Sequence, residues 1–199
     1  MSNVRMNAIR GLKPMPEKER YKYNITDLKV GGYMAFLNQN WQVIEINRYL
    51  DVKWKNFARR KSEEWVIELT ILSLKTGEKH FIEFSVDDEI EICFTEKEVK
   101  LRELGLSRDE IAYIEDEEEG KVCYDRQTYY YSDDETWAGL YFHGDDKEGL
   151  RVKFHEFETN NGYYLTIESW YDDPNDDRPD RDAYISRAVK VSEIEILQL

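Results

Sequence analysis

The chain has 199 residues, with 42 acidic against 28 basic side chains and a net charge of −14. That charge repels nucleic-acid phosphates and argues against direct DNA or RNA binding. No stretch reaches the apolar length of a membrane span, so membrane insertion is not expected, and residues 1–20 lack the apolar core of a signal peptide. Hydrophobic content of 41% with 14% aromatics, including 14 Tyr, excludes a disordered chain and suits strands packed on a core. The chain is therefore read as a soluble, cytoplasmic protein of one domain or two small ones. Cys93 and Cys123 lack metal or redox spacing and read as packing residues.

Residues 1–24 are polar, carry six Lys or Arg against two Glu, contain Pro14 and Pro16, and show no periodicity. They read as a flexible basic N-terminal arm, which leaves −18 on the remainder. A strand is expected at 33–37, a turn at Asn38-Gln39-Asn40, and a return strand at 41–46. Residues 47–62, with Lys53, Lys55, Arg59, Arg60 and Lys61, read as an exposed irregular loop.

Residues 67–88 and 152–173 then align at a constant offset of 85: Gly77 on Gly162, Ile82-Glu83 on Ile167-Glu168, Asp87-Asp88 on Asp172-Asp173. Each copy reads as a hairpin with glycine at a positive-φ turn position. In each outgoing strand the apolar positions slip by one, from Trp65, Ile67 and Leu69 to Leu72 and Leu74, and from Val152 and Phe154 to Phe157. A change of parity inside a strand predicts a β-bulge. Glu89-Ile-Glu-Ile92 is echoed by Glu193-Ile-Glu-Ile196.

Thr95 with Glu98 predicts a capping box opening a short helix that ends at Gly105, and Ser107 with Glu110 offers a second start. Residues 115–119 read as an acidic turn before Gly120. Strands recur near 122–131, 137–142, 150–157, 163–171, 183–189 and 194–197. Short segments separated by Gly, Asn and Asp predict a mainly β fold: two tandem antiparallel β-repeats forming small barrels or a sandwich, with one or two short helices between them. The boundaries follow as 25–105 for the first repeat and 106–199 for the second, with an acidic insertion at 172–182.

The sequence holds no nucleophile elbow, phosphate-binding glycine loop or HExxH pair, so no catalytic residue is assigned, and neither a cofactor nor a metal is expected. His143 with Asp145 and Asp146 reads as a polar turn ended by Gly144, His80 as a core imidazole, and His155 as a structural neighbour of the expected bulge. The run 172–182 holds six Asp but has no calcium-loop spacing, and reads as a solvated loop. Trp170 falls on the strand face opposite Ile167, beside Thr166 and Glu168. A large aromatic among charges on an outer face is a contact surface. Glu168, Trp170, Asp172, Asp173 and Trp137 are accordingly the candidate binding residues.

The pattern Val30-Gly31, Trp41-x-Val43-Ile44, Trp65-x-Ile67-Glu68-Leu69, and Tyr164-x-x-Ile167-Glu168-x-Trp170 near 183–186 resembles a bacterial domain family of unknown function. The resemblance covers residues 26–197, and the loop 47–61 and insertion 172–182 depart from it. Members of that family are encoded near phage-shock-type membrane-stress proteins and polyamine-synthesis enzymes. The resemblance implies a cytoplasmic accessory or scaffold role in an envelope-stress system, in complex with other products of the operon. It supplies no catalytic residues.

Three functions follow as expectations. The first is a non-enzymatic protein-binding adaptor with a protein partner, tolerant of a cationic partner such as a basic protein face or polyamines. The second is an acidic decoy, a phage-type inhibitor or nucleic-acid mimic. The third is a small-ligand-binding β-barrel or enzyme with His80 facing its cavity.

Overall fold

The structure, a computed structural model, describes residues 3–117, 119–133, 136–174, 176 and 178–199, without the side chains of 115–117. Part of the expected acidic turn at 115–119 and Asn175 and Asp177 of the acidic insertion thus lie outside the described residues. The protein is mainly β, as the composition and strand spacing predict. Hydrogen-bonded strand order runs β12-β1-β2-β3-β4-β5-β11-β10-β9-β7-β6. These strands are β1 Tyr33–Phe36, β2 Gln39–Val52, β3 Trp65–Ser73, β4 Lys79–Val86, β5 Ile90–Glu98, β6 Lys121–Tyr124, β7 Gln127–Tyr131, β8 Trp137–Phe142, β9 Leu150–Glu158, β10 Tyr163–Tyr171, β11 Asp180–Val189 and β12 Glu195–Gln198. β8 lies off this path and pairs with both β2 and β9.

The chain forms two compact units that are interleaved along the sequence, where the reading above divides it at 105/106. One takes the chain up to Asn47, Ile67–Phe94 and Val189–Leu199; the other takes Arg48–Val66 and Thr95–Ala188. In the first unit, Trp41, Val43, Leu69, Ile71, Ile82, Phe84, Ile92, Phe94 and Ile196 share one buried core. Both Ile-Glu-Ile runs contribute to it, through Ile92 and Ile196. Trp41 is fully buried and its indole N–H donates to Phe36 O at 2.9 Å, so its polar atom is satisfied on burial. His80 lies against Trp41 and Phe94, with ring centroids 5.3 and 5.4 Å away.

Residues expected to form a flexible arm instead include helix α1, Asn3–Gly11, and a short helix α2, Glu17–Arg20. Small residues dock α1. Ala8 is buried with Tyr33, Leu72, Leu74 and Leu197, and the Tyr33 hydroxyl donates to Ala8 O at 2.9 Å. At Gly11 a Cβ would stand 2.5 Å from that hydroxyl, so only glycine admits this approach. Arg5 Nε donates to Leu74 O at 2.9 Å, fixing the helix against the β3–β4 turn. The backbone N–H of Met15 donates to Leu197 O at 2.8 Å, giving β12 a partner on its second edge.

The second unit has a core of Val122, Tyr129, Phe157, Leu165, Ile167, Ala183 and Ile185 beneath helices α3, Leu101–Leu104, and α4, Arg108–Glu117. Residues 95–98 remain in β5, so the capping box expected at Thr95 does not open α3; the helix does end at Gly105, with φ of 70°. The second start is realised. Ser107 Oγ accepts from Glu110 N at 3.2 Å while Glu110 Oε2 accepts from Ser107 N at 2.7 Å. The backbone of the acidic run continues α4 through Glu117 rather than turning.

The hairpins β3–β4 and β9–β10 both form, with Gly77 at φ 81° and Gly162 at φ 78°. The slip in β9 is not a bulge: β9 and β10 pair without interruption from Arg151↔Tyr171 to Glu158↔Tyr164. Val152 and Phe154 enter one apolar cluster and Phe157, on the opposite face, enters another. In β3, likewise, Leu69 and Ile71 enter the main core while Leu72 and Leu74 lie under α1. The apolar parity changes because the covered face changes along a continuous strand.

Candidate functional site

In the second unit the ladders align side chains across four and five strands. Trp137, Phe154, Glu168 and Asp182 form one cross-strand row, and Asp51, Gly139, Val152, Trp170 and Asp180 form the next. Side chains two residues apart share a strand face, so Tyr49, Tyr141 and Thr166 belong to the same surface. Its aromatic floor is tightly assembled. Trp137 stacks on Phe154 at 4.1 Å and 10°, and Tyr49 meets Phe154 edge-on at 5.2 Å. Tyr141 stands edge-on to Trp170 at 5.5 Å. Gly139 permits the stack, since a Cβ there would meet the Trp137 ring at 3.0 Å and the Phe154 ring at 3.4 Å.

Tyr49, Val152 and Phe154 are buried and form the floor, whereas Trp137, Tyr141 and Trp170 are half-buried and keep contact with solvent. Acids edge this floor along β10 and β11. Glu168 is buried, and Asp180 and Asp182 are exposed. Partial desolvation, then the Glu98 and Asp180 carboxylates, hold the Asp182 carboxyl above the usual carboxylate range. Thr166 Oγ1 donates to Glu156 Oε2 at 2.8 Å on the same face. On β2, Asp51 Oδ2 receives Arg60 Nε at 2.8 Å, yet burial outweighs that cation and raises the Asp51 pKa.

Of the five residues selected from sequence, the fold brings Trp137, Glu168 and Trp170 onto this one face. Asp172 and Asp173 instead fall in an exposed bend beyond β10, where Asp172 is engaged through its backbone oxygen by Arg151 Nη1 at 2.8 Å. Asp180 and Asp182 stand on the face in their place. The sequence reading assigns them to a solvated insertion, but β11 begins at Asp180. The alternation Asp180, Asp182, Tyr184 against Arg181, Ala183, Ile185 carries the signal for that strand.

The opposite face of the same strands is covered by the segment after β2. Trp54 and Phe57 come from that segment and pack with Leu50, Val52, Ala138, Phe142 and Tyr171. β2 runs to Val52 because Tyr49, Leu50 and Val52 are buried, so the expected loop at 47–62 begins only after it. His155 is buried with its ring edge-on to Trp54 at 5.2 Å. His143 and Asp146 meet through a backbone hydrogen bond, Asp146 N to His143 O at 3.0 Å, in a turn with Gly144 at φ 52°. Among the described residues, no three His, Cys, Asp or Glu side chains converge as a metal site. No helix there is long and apolar enough to cross a membrane.

Comparison with known proteins finds no matching family model, no similar curated protein and no similar solved structure.

Proposed function

We propose that the chain is a non-enzymatic protein-binding adaptor whose aromatic and acidic face on β8–β11 receives a basic, partly apolar segment of a protein partner. The observation that carries this reading is the register of Trp170 with Asp180 and of Trp137 with Glu168 and Asp182. Half-buried indoles supply large contact area at low entropic cost, and carboxylates beside them select Lys or Arg. The interleaving of tryptophans with acids favours a protein segment over nucleic-acid mimicry, which needs carboxylates spaced like phosphates. A cytoplasmic accessory role in a bacterial envelope-stress system, suggested by the family resemblance, fits such an adaptor.

The test is affinity capture of partners by the tagged chain from its native host, at low and raised salt, alongside Trp170→Ala and Asp182→Asn. A protein retained by the wild type, weakened by each variant and released as salt rises supports the reading. A partner held equally by all three chains at every salt concentration contradicts it.

A further inference from the structure

Three features of the docking face decide what kind of segment it can hold. The first is a closed floor. Gly139, Val152 and Phe154 are buried among Trp137, Tyr141 and Trp170, which keep contact with solvent, and Leu150 projects beside Tyr141 at 63% exposure. A docking helix inserts apolar side chains into a groove of its partner, and a floor already filled by rings leaves them no room. The second feature is the pairing beneath that floor. β8 lies between β2 and β9, β9 between β8 and β10, β10 between β9 and β11, and β11 between β10 and β5. An incoming strand therefore meets no free ladder edge. The third is the placement of charge. The half-exposed rings stand on β8 and β10, whereas Asp180 and Asp182 stand exposed on β11, with the exposed Glu98 near Asp182.

A polyproline II segment needs neither a groove for knobs nor a ladder. It makes no internal hydrogen bonds, its backbone stays solvated, and its prolines pack on aromatic side chains. Its length also suits the face. Trp137 and Asp182 belong to one cross-strand row, on strands three spacings apart, which is about 14 Å at roughly 4.8 Å per spacing. Polyproline II rises about 3.1 Å per residue, so about five residues carry the segment from the rings to the acids.

We propose that the face receives a proline-rich segment of a protein partner, its prolines on Trp137, Tyr141 and Trp170 and a lysine or arginine about five residues away against Asp180 and Asp182. This identification of the partner rests on the docking reading above and narrows it. The rings are held in place before binding, Trp137 by its stack on Phe154 and Trp170 by its edge-on contact with Tyr141. The segment is likewise ordered before it binds, so little freedom is lost on either side.

The test measures three tryptophan-free peptides of equal length and equal lysine content against the wild-type chain by calorimetry. One is proline-rich, with lysines five residues from a proline block; one is leucine-rich and helical; one is valine- and threonine-rich and extended. A fourth repeats the proline-rich peptide with glutamate for lysine. The proline-rich lysine peptide should bind at least about tenfold more tightly than the helical or extended one, and its glutamate version should not bind. Its proline ring protons should shift upfield in the complex, because they lie against the indoles. Trp170→Ala should weaken it about tenfold; the peptide comparison and the proline shifts need only the wild type, so they decide should that variant not fold. Equal affinity for the three lysine peptides, each released by salt, overturns the proline-rich assignment and leaves the docking face standing. Binding of none of them overturns both. A proline-rich peptide that binds with its ring protons unmoved also overturns the assignment.

Discussion

The Trp137 indole lies flat on the Phe154 ring, 4.1 Å away, directly above the position where Gly139 has no side chain. Backbone and ring thus share one requirement: a small residue two positions along the strand. Gly139→Ala should displace the stack by a few tenths of an ångström and cost about 1–3 kcal/mol, as overpacking does. Urea denaturation with near-ultraviolet circular dichroism will measure both effects, and an unchanged aromatic signal with wild-type stability would refute this packing.

Helix α1 belongs to the folded structure. Removing residues 1–12 would uncover Leu72, Leu74 and Leu197 and take away the Ala8 carbonyl that the Tyr33 hydroxyl bonds. Gly11→Ala alone brings a Cβ to 2.5 Å from that hydroxyl. The truncation should lower the melting temperature by several degrees, since about 1 kcal/mol corresponds to roughly 2–4 °C in a chain of this size. Gly11→Ala should do so to a smaller extent. Thermal unfolding of both proteins checks this, and a truncated chain as stable as the whole would show α1 to be dispensable.

Two carboxyls give opposite pH signatures. The Asp51 pKa is raised in the folded chain, by burial first and despite Arg60. The folded state therefore holds its proton more tightly, and stability falls as pH rises from the unfolded value of 3.8 through the raised one. Asp51→Asn should lessen that loss, leaving the part due to Asp182, whose carboxyl is raised as well. A variant whose stability declines as steeply as that of the wild type across this window would contradict the assignment.

The Glu110 pKa is lowered, first by the Ser107 hydroxyl and then by the Ser107 backbone N–H. Its stabilisation is present above the unfolded value of 4.5 and is lost as pH falls through the folded value. Ser107→Ala should destabilise the start of α4 by about 1 kcal/mol near neutral pH. The difference from wild type should shrink in acid, as measured by amide exchange across α4. A difference that is constant with pH would separate Glu110 from the cap.

Much of this was legible in the chain where local patterns decide local structure. The strand at 163–171, with Trp170 opposite Ile167, is read with the bounds that β10 has. Turns without glycine carry a weaker mark in the sequence. Leu37-Asn38 and Asp125-Arg126 both adopt positive φ, so the first turn falls a residue early and one expected strand at 122–131 is the hairpin β6–β7. The parity slips in β3 and β9 look like bulges because a sequence shows which positions are apolar but not which face is covered. Helix α1 shows no apolar stripe because Ala8 is its buried residue, while Gly11 and the Arg5 hydrogen bond complete its seating. Asp180 and Asp182 do not stand out in the sequence as face residues because only pairing with β10 aligns them with Trp170 and Glu168.

The most direct measurement follows the indole N–H signals of the five tryptophans by nuclear magnetic resonance while a Lys- and Leu-rich peptide is added. Trp137 and Trp170 should shift at low salt, recover at about 0.5 M salt as screening removes the attraction, and leave the buried Trp41 unmoved. Signals that stay in place, or a response confined to Trp54, would contradict the docking face.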